Sequence, residues 1–389
     1  MHQQTEVEGV TDPHFDQIVE VFREGFDAGR DVGAGVAITI EGELVVDLWA
    51  GHTDRRRTRP WRRDTLVCMF SVTKAMTAIC LLQAVDRELV ALDAPVADYW
   101  PEFASGDKGR ITIRQLMSHQ AGLVGFHDKV PQDIYYDWQA VTAALAGETP
   151  WWTPGTRHGY HARTFGFLLG EVLRRVSDQT VGQWYAANVA QPLGLDFFIG
   201  LTDDQIDRCA DILPARVRPG EEKFWPDAMR RMLKDFNNAA TPTGAAFQNP
   251  SLRPGYMNTA DFRRAEMPAL NGHGTAAAVA VMYGEIARIL SPATLEQATR
   301  THSLGPDEVL KSVTHFGLGF MLHHELAPIG VRSGSFGHAG AGGSMAFYDP
   351  GRRLGFCFAM NQMQEGVVTG GTSAMQLAEA ACEICERIR

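Results

Sequence analysis

Strand-like sequence sits at the two ends of this chain and helical periodicity fills its middle, and that distribution limits the fold more than any other feature. Near the N-terminus, GVAITI and LVVDLWAG flank Glu41-Gly42-Glu43, the pattern of a β-hairpin closed by a glycine turn. Near the C-terminus, HFGLGFMLH, GSMAFYDP and RRLGFCFAMNQ alternate or run apolar, with Asp349, Pro350 and Gly351 as the turn between the last two. A chain built this way brings its ends together in one antiparallel sheet, which helices at residues 14–28 and 372–389 can cover. The expectation is an α+β fold. One lobe comes from residues 1–75 and 291–389 and holds the sheet; residues 76–290 form a mostly helical second lobe. A cleft between lobes is a common place for a site.

The middle contains a helix from about Ser71 to Arg87, with Met76, Ile79, Cys80, Leu82 and Val85 at helical spacing. GFLLGEVLRRVS and VGQWYAANVAQPL follow the same period. TAAAVAVMYGEIARIL does so with Thr275 as its N-cap. Residues 210–270, rich in Pro, Asn and Gly, read as long loops that line a site or pack as lids.

Charge narrows the function. The 389 residues carry 36 basic and 46 acidic side chains, a net of -10. This argues against nucleic acid or an anionic membrane as partner. Arg55, Arg56, Arg57, Arg59, Arg62 and Arg63 crowd around Pro60, but without periodicity, and read as a solvated loop rather than an anion site. The six cysteines are too thinly spread for a disulfide scaffold. Cys382 and Cys385 form a CxxC inside a helical pattern with no flanking His ligand, which reads as reduced thiols rather than a metal or redox centre. The N-terminal segment lacks the basic start and apolar run of a secretory signal, and no stretch has the length of a membrane span. The expected setting is the cytoplasm.

The chemistry centres on Ser71-Val72-Thr73-Lys74 at the start of a predicted helix. A spacing of three puts serine and lysine on one face, about one turn apart. The helix N-terminus there favours developing negative charge. A serine hydroxyl needs a neighbour to take its proton, and a lysine can do so once burial lowers its pKa. Alone, Ser-x-x-Lys is equally the mark of a helix N-cap.

Its company decides. With Leu116-Met117-Ser118-His119-Gln120-Ala121-Gly122-Leu123 downstream, and Ala265-Glu266-Met267-Pro268-Ala269 before Asn271-Gly272, the chain resembles the serine β-lactamase and penicillin-binding-protein superfamily. Within it the chain is most similar to class C β-lactamases and family VIII carboxylesterases, from about residue 15 to the end. The resemblance implies that Ser71 is the nucleophile. It implies that Tyr160, in Tyr160-His161-Ala162, is the general base sharing a proton with Lys74, a phenol whose pKa is lowered by the ammonium beside it. Ala162 stands where the family's Tyr-x-Asn carries an amide, which favours esters over β-lactams. His338-Ala339-Gly340-Ala341 resembles the family's third motif. It implies an oxyanion hole from the N–H groups of Ser71 and Ala341, with His338 and Gly340 beside the substrate.

Aromatic residues crowd the same part of the sequence: Phe126, Tyr135, Tyr136, Trp138, Trp151, Trp152, Phe224 and Trp225. Tyr135 and Trp152 are expected as pocket walls. No Gly-x-Ser-x-Gly, His-Glu-x-x-His, dinucleotide fingerprint or P-loop occurs. The expected activity is hydrolysis of a small-molecule carboxylic ester through an acyl-enzyme, with no metal or organic cofactor. β-Lactam or peptide hydrolysis, acyl transfer, and a non-catalytic binding protein on the same fold are the alternatives.

Overall fold

A computed structural model describes residues 5–216, 227–364 and 370–388. Nine strands form one sheet: β1 Val7–Thr11, β2 Gly33–Ile40, β3 Glu43–Gly51, β7 Ser303–Pro306, β8 Val313–Phe316, β9 Met321–Leu322, β10 Phe336–Ala339, β11 Met345–Asp349 and β12 Leu354–Met360. Their order is β1-β3-β2-β12-β11-β10-β9-β8-β7, with antiparallel neighbours throughout. The two chain ends meet where β2 pairs with β12, Ile40 opposite Leu354 and Ala34 opposite Met360. The β2–β3 hairpin turns through Glu41 and Gly42, both at positive φ (55° and 88°), which matches the twist of the strands.

The central strands are apolar on both faces because both faces are covered. Val36, Ile38, Phe356 and Phe358 point toward the terminal helices Gln17–Asp27 and Thr372–Arg387, where Ile18, Phe22, Leu377 and Ile384 meet them. Ala37, Cys357 and Ala359 point the other way, toward Val279 and Met282 of helix Ala276–Gly284 and the helical core beyond. That core surrounds helix Thr73–Asp86, whose residues Thr73 to Ala84 are all buried. A small second sheet, β4 Val67–Cys68, β6 His273–Gly274 and β5 Phe197–Phe198, leads into it.

One expectation about elements changes. HFGLGFMLH is not one strand: the chain turns at Gly317–Phe320, with Gly319 at φ 79°, and divides it into β8 and β9. Residues 210–270 are largely irregular as expected, but three helices, Asp227–Phe236, Pro242–Gln248 and Ala260–Arg264, interrupt them. Strands β1 and β7 form the two sheet edges and carry no apolar run to announce them. The arginine loop is solvent-exposed as expected, with Arg63 bonded to Asp47 at 2.8 Å. Cys382 and Cys385 are buried thiols on the last helix. Among the described residues, no helix is long and apolar enough to cross a membrane.

Candidate active site

Ser71 lies in a single turn of 3-10 helix, Phe70–Val72, that feeds the longer helix Thr73–Asp86. Phe70, just before it, holds φ at +47°, a strained conformation for a bulky residue. The turn is braced from several sides. The Thr73 hydroxyl donates to the Phe70 carbonyl (2.5 Å) and accepts from Gly272 N–H (2.8 Å). Met69 N–H donates to the Gly272 carbonyl at 2.9 Å. Asn271-Gly272 is therefore a support for the serine turn.

Lys74 follows one turn later. Its Nζ lies 3.1 Å from Ser71 Oγ and donates to the carbonyls of Ala162 and Ala269 at 2.8 Å each. The side chain is wholly buried, and no carboxylate contacts it among the described residues. Burial therefore pulls the ammonium well below its ordinary pKa. The segment from Ala265 to Ala269 forms the roof over this helix: Ala269 holds Lys74, and the Pro268 carbonyl accepts from Thr77.

Tyr160 lies across from this pair, with Lys74 Nζ 4.6 Å from its ring centroid, and its side chain lines the same cleft as Ser71. The phenol pKa is not lowered as expected. Burial pushes it up, Ser71 counteracts this, and the Asp307 carboxylate pushes it further up. The reason is that Lys74 and Tyr160 share one desolvated space, where burial disfavours both charged forms.

Four buried histidines surround the three groups. His119 is pulled down from its ordinary pKa by burial, then by its neighbours His161 and Lys74. His161 and His338 are each held down at about 3, with burial the main cause. His158 is also lowered by burial. His338 is therefore a neutral ring and supplies no charge. Its Nδ1 lies 2.7 Å from the Ala339 carbonyl, and its Nε2 is buried without a partner among the described residues.

A cleft of about 300 Å³ opens over Ser71, Tyr160, Ala162 and Ala341. Its other walls include Arg163, Phe236, Phe247, Leu252, Tyr256 and Met257, and none of the described lining residues is acidic. The expected walls lie elsewhere. Tyr135 is buried, stacked on Phe167 at 5.5 Å, because its ring fills the core under the cleft. Trp152 lies behind Gly159: a Cβ there would come within 2.6 Å of its ring, and its indole N–H donates to the Gln120 carbonyl at 3.3 Å. Of the other aromatic residues named from sequence, Phe126, Tyr136, Trp138 and Trp151 do not line the cleft, and Phe224 and Trp225 lie outside the described residues. Gly340 is not among the residues lining the cleft either. It supports the serine turn, since any Cβ there would collide with the Met69 carbonyl and the Ser344 hydroxyl.

Sequence reasoning missed the two carbonyls that hold Lys74 and the wall of Phe236 and Phe247. The carbonyls carry no side-chain signal, and both phenylalanines lie in the stretch read as loop. A family profile described as Beta-lactamase matches residues 15–379. The chain belongs to the Beta-lactamase family.

Other comparisons point within that family. The chain is 33% identical over 372 residues to the esterase/beta-lactamase LipL of Mycobacterium tuberculosis, covering 92% of this chain and 84% of that protein. It superposes on the crystal structure of a family VIII carboxylesterase with a TM-score of 0.88, 36% identity, and coverage of 97% and 100%. A penicillin-binding-protein homologue from Caulobacter crescentus gives a TM-score of 0.88, 38% identity, and coverage of 98% and 100%. The Beta-lactamase family fold thus extends over nearly the whole chain.

Proposed function

We propose that this protein is a serine carboxylesterase acting through an acyl-enzyme. The observation that carries the reading is the desolvated Lys74 amine, 3.1 Å from the Ser71 hydroxyl and without a carboxylate partner among the described residues. A lysine kept neutral by burial is a base at neutral pH. Ser71 Oγ attacks the ester carbonyl carbon while Lys74 takes its proton. The negative charge forming on the carbonyl oxygen is met by the N–H groups of Ser71 and Ala341. Lys74 then returns the proton, relayed through the Tyr160 phenol, to the departing alkoxide. Water repeats the cycle on the acyl-enzyme and releases the acid.

Support for an ester over a β-lactam comes from the cleft and the relatives. Ala162 offers the substrate a methyl group instead of an amide, and the wall of Phe236, Phe247, Leu252 and Met257 is apolar. The relatives named above include a family VIII carboxylesterase and an esterase/beta-lactamase. In this reading the enzyme works in the cytoplasm, where its buried cysteine thiols would stay reduced.

The test is a panel of p-nitrophenyl acetate, butyrate and octanoate beside nitrocefin, with mass spectrometry after a serine-reactive phosphonate. Ester turnover should exceed nitrocefin turnover, and the covalent mass should fall on Ser71. Nitrocefin turning over faster would make the enzyme a β-lactamase. Ester turnover by Ser71→Ala at the wild-type rate would remove the serine mechanism.

A further inference from the structure

The motif around His119 and the short segment at Asp307 have no role in the chemistry above, yet both reach the loop that carries Tyr160. Three successive backbone N–H groups of that loop donate to them. Gly159 N–H donates to the His119 carbonyl (3.1 Å), Tyr160 N–H to Asp307 Oδ1 (3.1 Å), and His161 N–H to His119 Nδ1 (3.2 Å). Neither acceptor belongs to the loop: His119 is 42 residues from His161, and Asp307 is 147 residues from Tyr160.

Both acceptors are themselves held. Asp307 Oδ1 also takes the N–H groups of Val309 and Leu310 (2.8 Å each), and its Oδ2 takes the Thr314 hydroxyl at 3.1 Å. Because that hydroxyl donates to Asp307, the 2.9 Å contact from His158 Nε2 is a donation into Thr314 Oγ1. The ring of His119 packs against Tyr160 (5.2 Å) and Phe316 (4.5 Å). His119, Asp307, Thr314 and His161 are all buried, so these bonds have no water to exchange with.

We propose that Asp307 and His119 are positioning residues that act through Tyr160, clamping its loop so that the phenol stays over Ser71 and Lys74. The proposal rests on the reading of Tyr160 as part of the reactive site. A loop backbone with one N–H per residue and nothing regular to pair with drifts unless each donor is met, and a displacement of about 1 Å at a reacting group costs about 100-fold in rate. An aspartate supplies an oxygen that accepts several N–H groups together. A histidine ring kept neutral offers one nitrogen as acceptor and packs its face on the tyrosine.

The test is a double-mutant cycle on ester hydrolysis, with Asp307→Ala and Tyr160→Phe alone and combined. Asp307→Ala should lower kcat about 100-fold with KM changed less than about threefold. In the Tyr160→Phe background the same substitution should cost under about threefold, because its route to the chemistry is already gone. Asp307→Asn keeps an oxygen facing the three N–H groups and should restore kcat to within about tenfold of wild type. Should Asp307→Ala fail to fold, His119→Ala removes the other strut and enters the same cycle with the same expectation.

A purely structural role would lower thermal stability and give losses that add to Tyr160→Phe, which would overturn the proposal. So would wild-type kcat in a folded Asp307→Ala or His119→Ala protein. A fully active Tyr160→Phe would instead defeat the reading of the site itself, so the two failures are distinguishable.

Discussion

Ser71 and Lys74 owe their relation to one turn of helix, whereas the loop of Tyr160 and His161 owes its position to groups 147 and 42 residues away from them. The first arrangement is local. Three residues of helix bring Nζ to 3.1 Å from Oγ, and the buried helix around them sets the lysine's charge state. The second is entirely tertiary, a loop with no regular pairing that is fixed by scattered buried acceptors. A reactive group can thus be held by periodicity or by a polar clamp, and the two fail differently. Damage to the helix site alters chemistry at an intact geometry; damage to the clamp alters geometry around intact chemistry.

Replacing the amine tests the local side and carries the largest expected effect. Lys74→Met keeps the length and apolar body of the side chain but cannot take a proton. We expect kcat/KM for a p-nitrophenyl ester to fall about 10³-fold, within the range of a lost general base. Phosphonate labelling of Ser71 should slow in parallel while circular dichroism stays native. Unchanged kinetics would mean that Tyr160 alone takes the proton and that the helix site is not the base.

A smaller effect is expected from the loop side, at a residue with no chemistry at all. Gly159→Ala puts a methyl 2.6 Å from the Trp152 ring, also close to Glu308 and Val309. The loop can relieve this only by moving away, taking Tyr160 with it. We expect kcat to fall about 30-fold, with pH dependence as in wild type. Trp152→Phe, which removes part of the obstructing ring, should recover part of the loss when combined with it. Full activity in Gly159→Ala would show that the clamp tolerates the shift.

This contrast also explains what could be read from sequence. The hairpin, the C-terminal strands, the helix after Ser71 and the Thr275 cap follow from periodicity and turn residues, which are local properties. Ser71, Tyr160 and Ala341 line one cleft, with Lys74 buried beside Ser71, and they were identified through motifs whose spacing is itself local. Tyr135 and Trp152 were misplaced because aromatic content reveals burial but not which side of a loop a ring occupies. Phe236 and Phe247 were missed because their short helices lie in sequence rich in Pro, Asn and Gly. Asp307 belongs to no motif, and only the folded chain brings it to Tyr160 N–H.

The histidines around the clamp give an acid-side prediction. His161 and His338 have pKa values held down to about 3 by burial, below the ordinary value near 6.5. As pH falls from about 6.5 toward 3, the unfolded chain takes up protons that the folded chain refuses, so stability falls. Each group contributes up to about 1.4 kcal/mol per pH unit across that window. Thermal melts between pH 7 and 5 should show a steady decline, and His338→Gln, which keeps a neutral donor for the Ala339 carbonyl, should make it shallower. An unchanged slope in that variant would mean that the ring is solvated and protonated in the folded protein.

The lysine provides the alkaline counterpart, smaller because one group carries it. Burial lowers the folded pKa of Lys74 well below 10.5. Between that lowered value and 10.5 the unfolded chain holds a proton that the folded chain lacks. Stability therefore rises with pH through this window, by at most about 1.4 kcal/mol per unit. Lys74→Met removes the titrating group, so denaturant melts from pH 7 to 9 should show a shallower rise than wild type by up to that slope. The activity argument requires the same sign, since a lysine that takes the serine proton must already be deprotonated when the ester arrives. Parallel slopes for the two proteins would mean that Lys74 keeps its proton in the folded state, and the hydroxyl would then need the phenol to activate it, returning the burden of catalysis from the helix to the clamped loop.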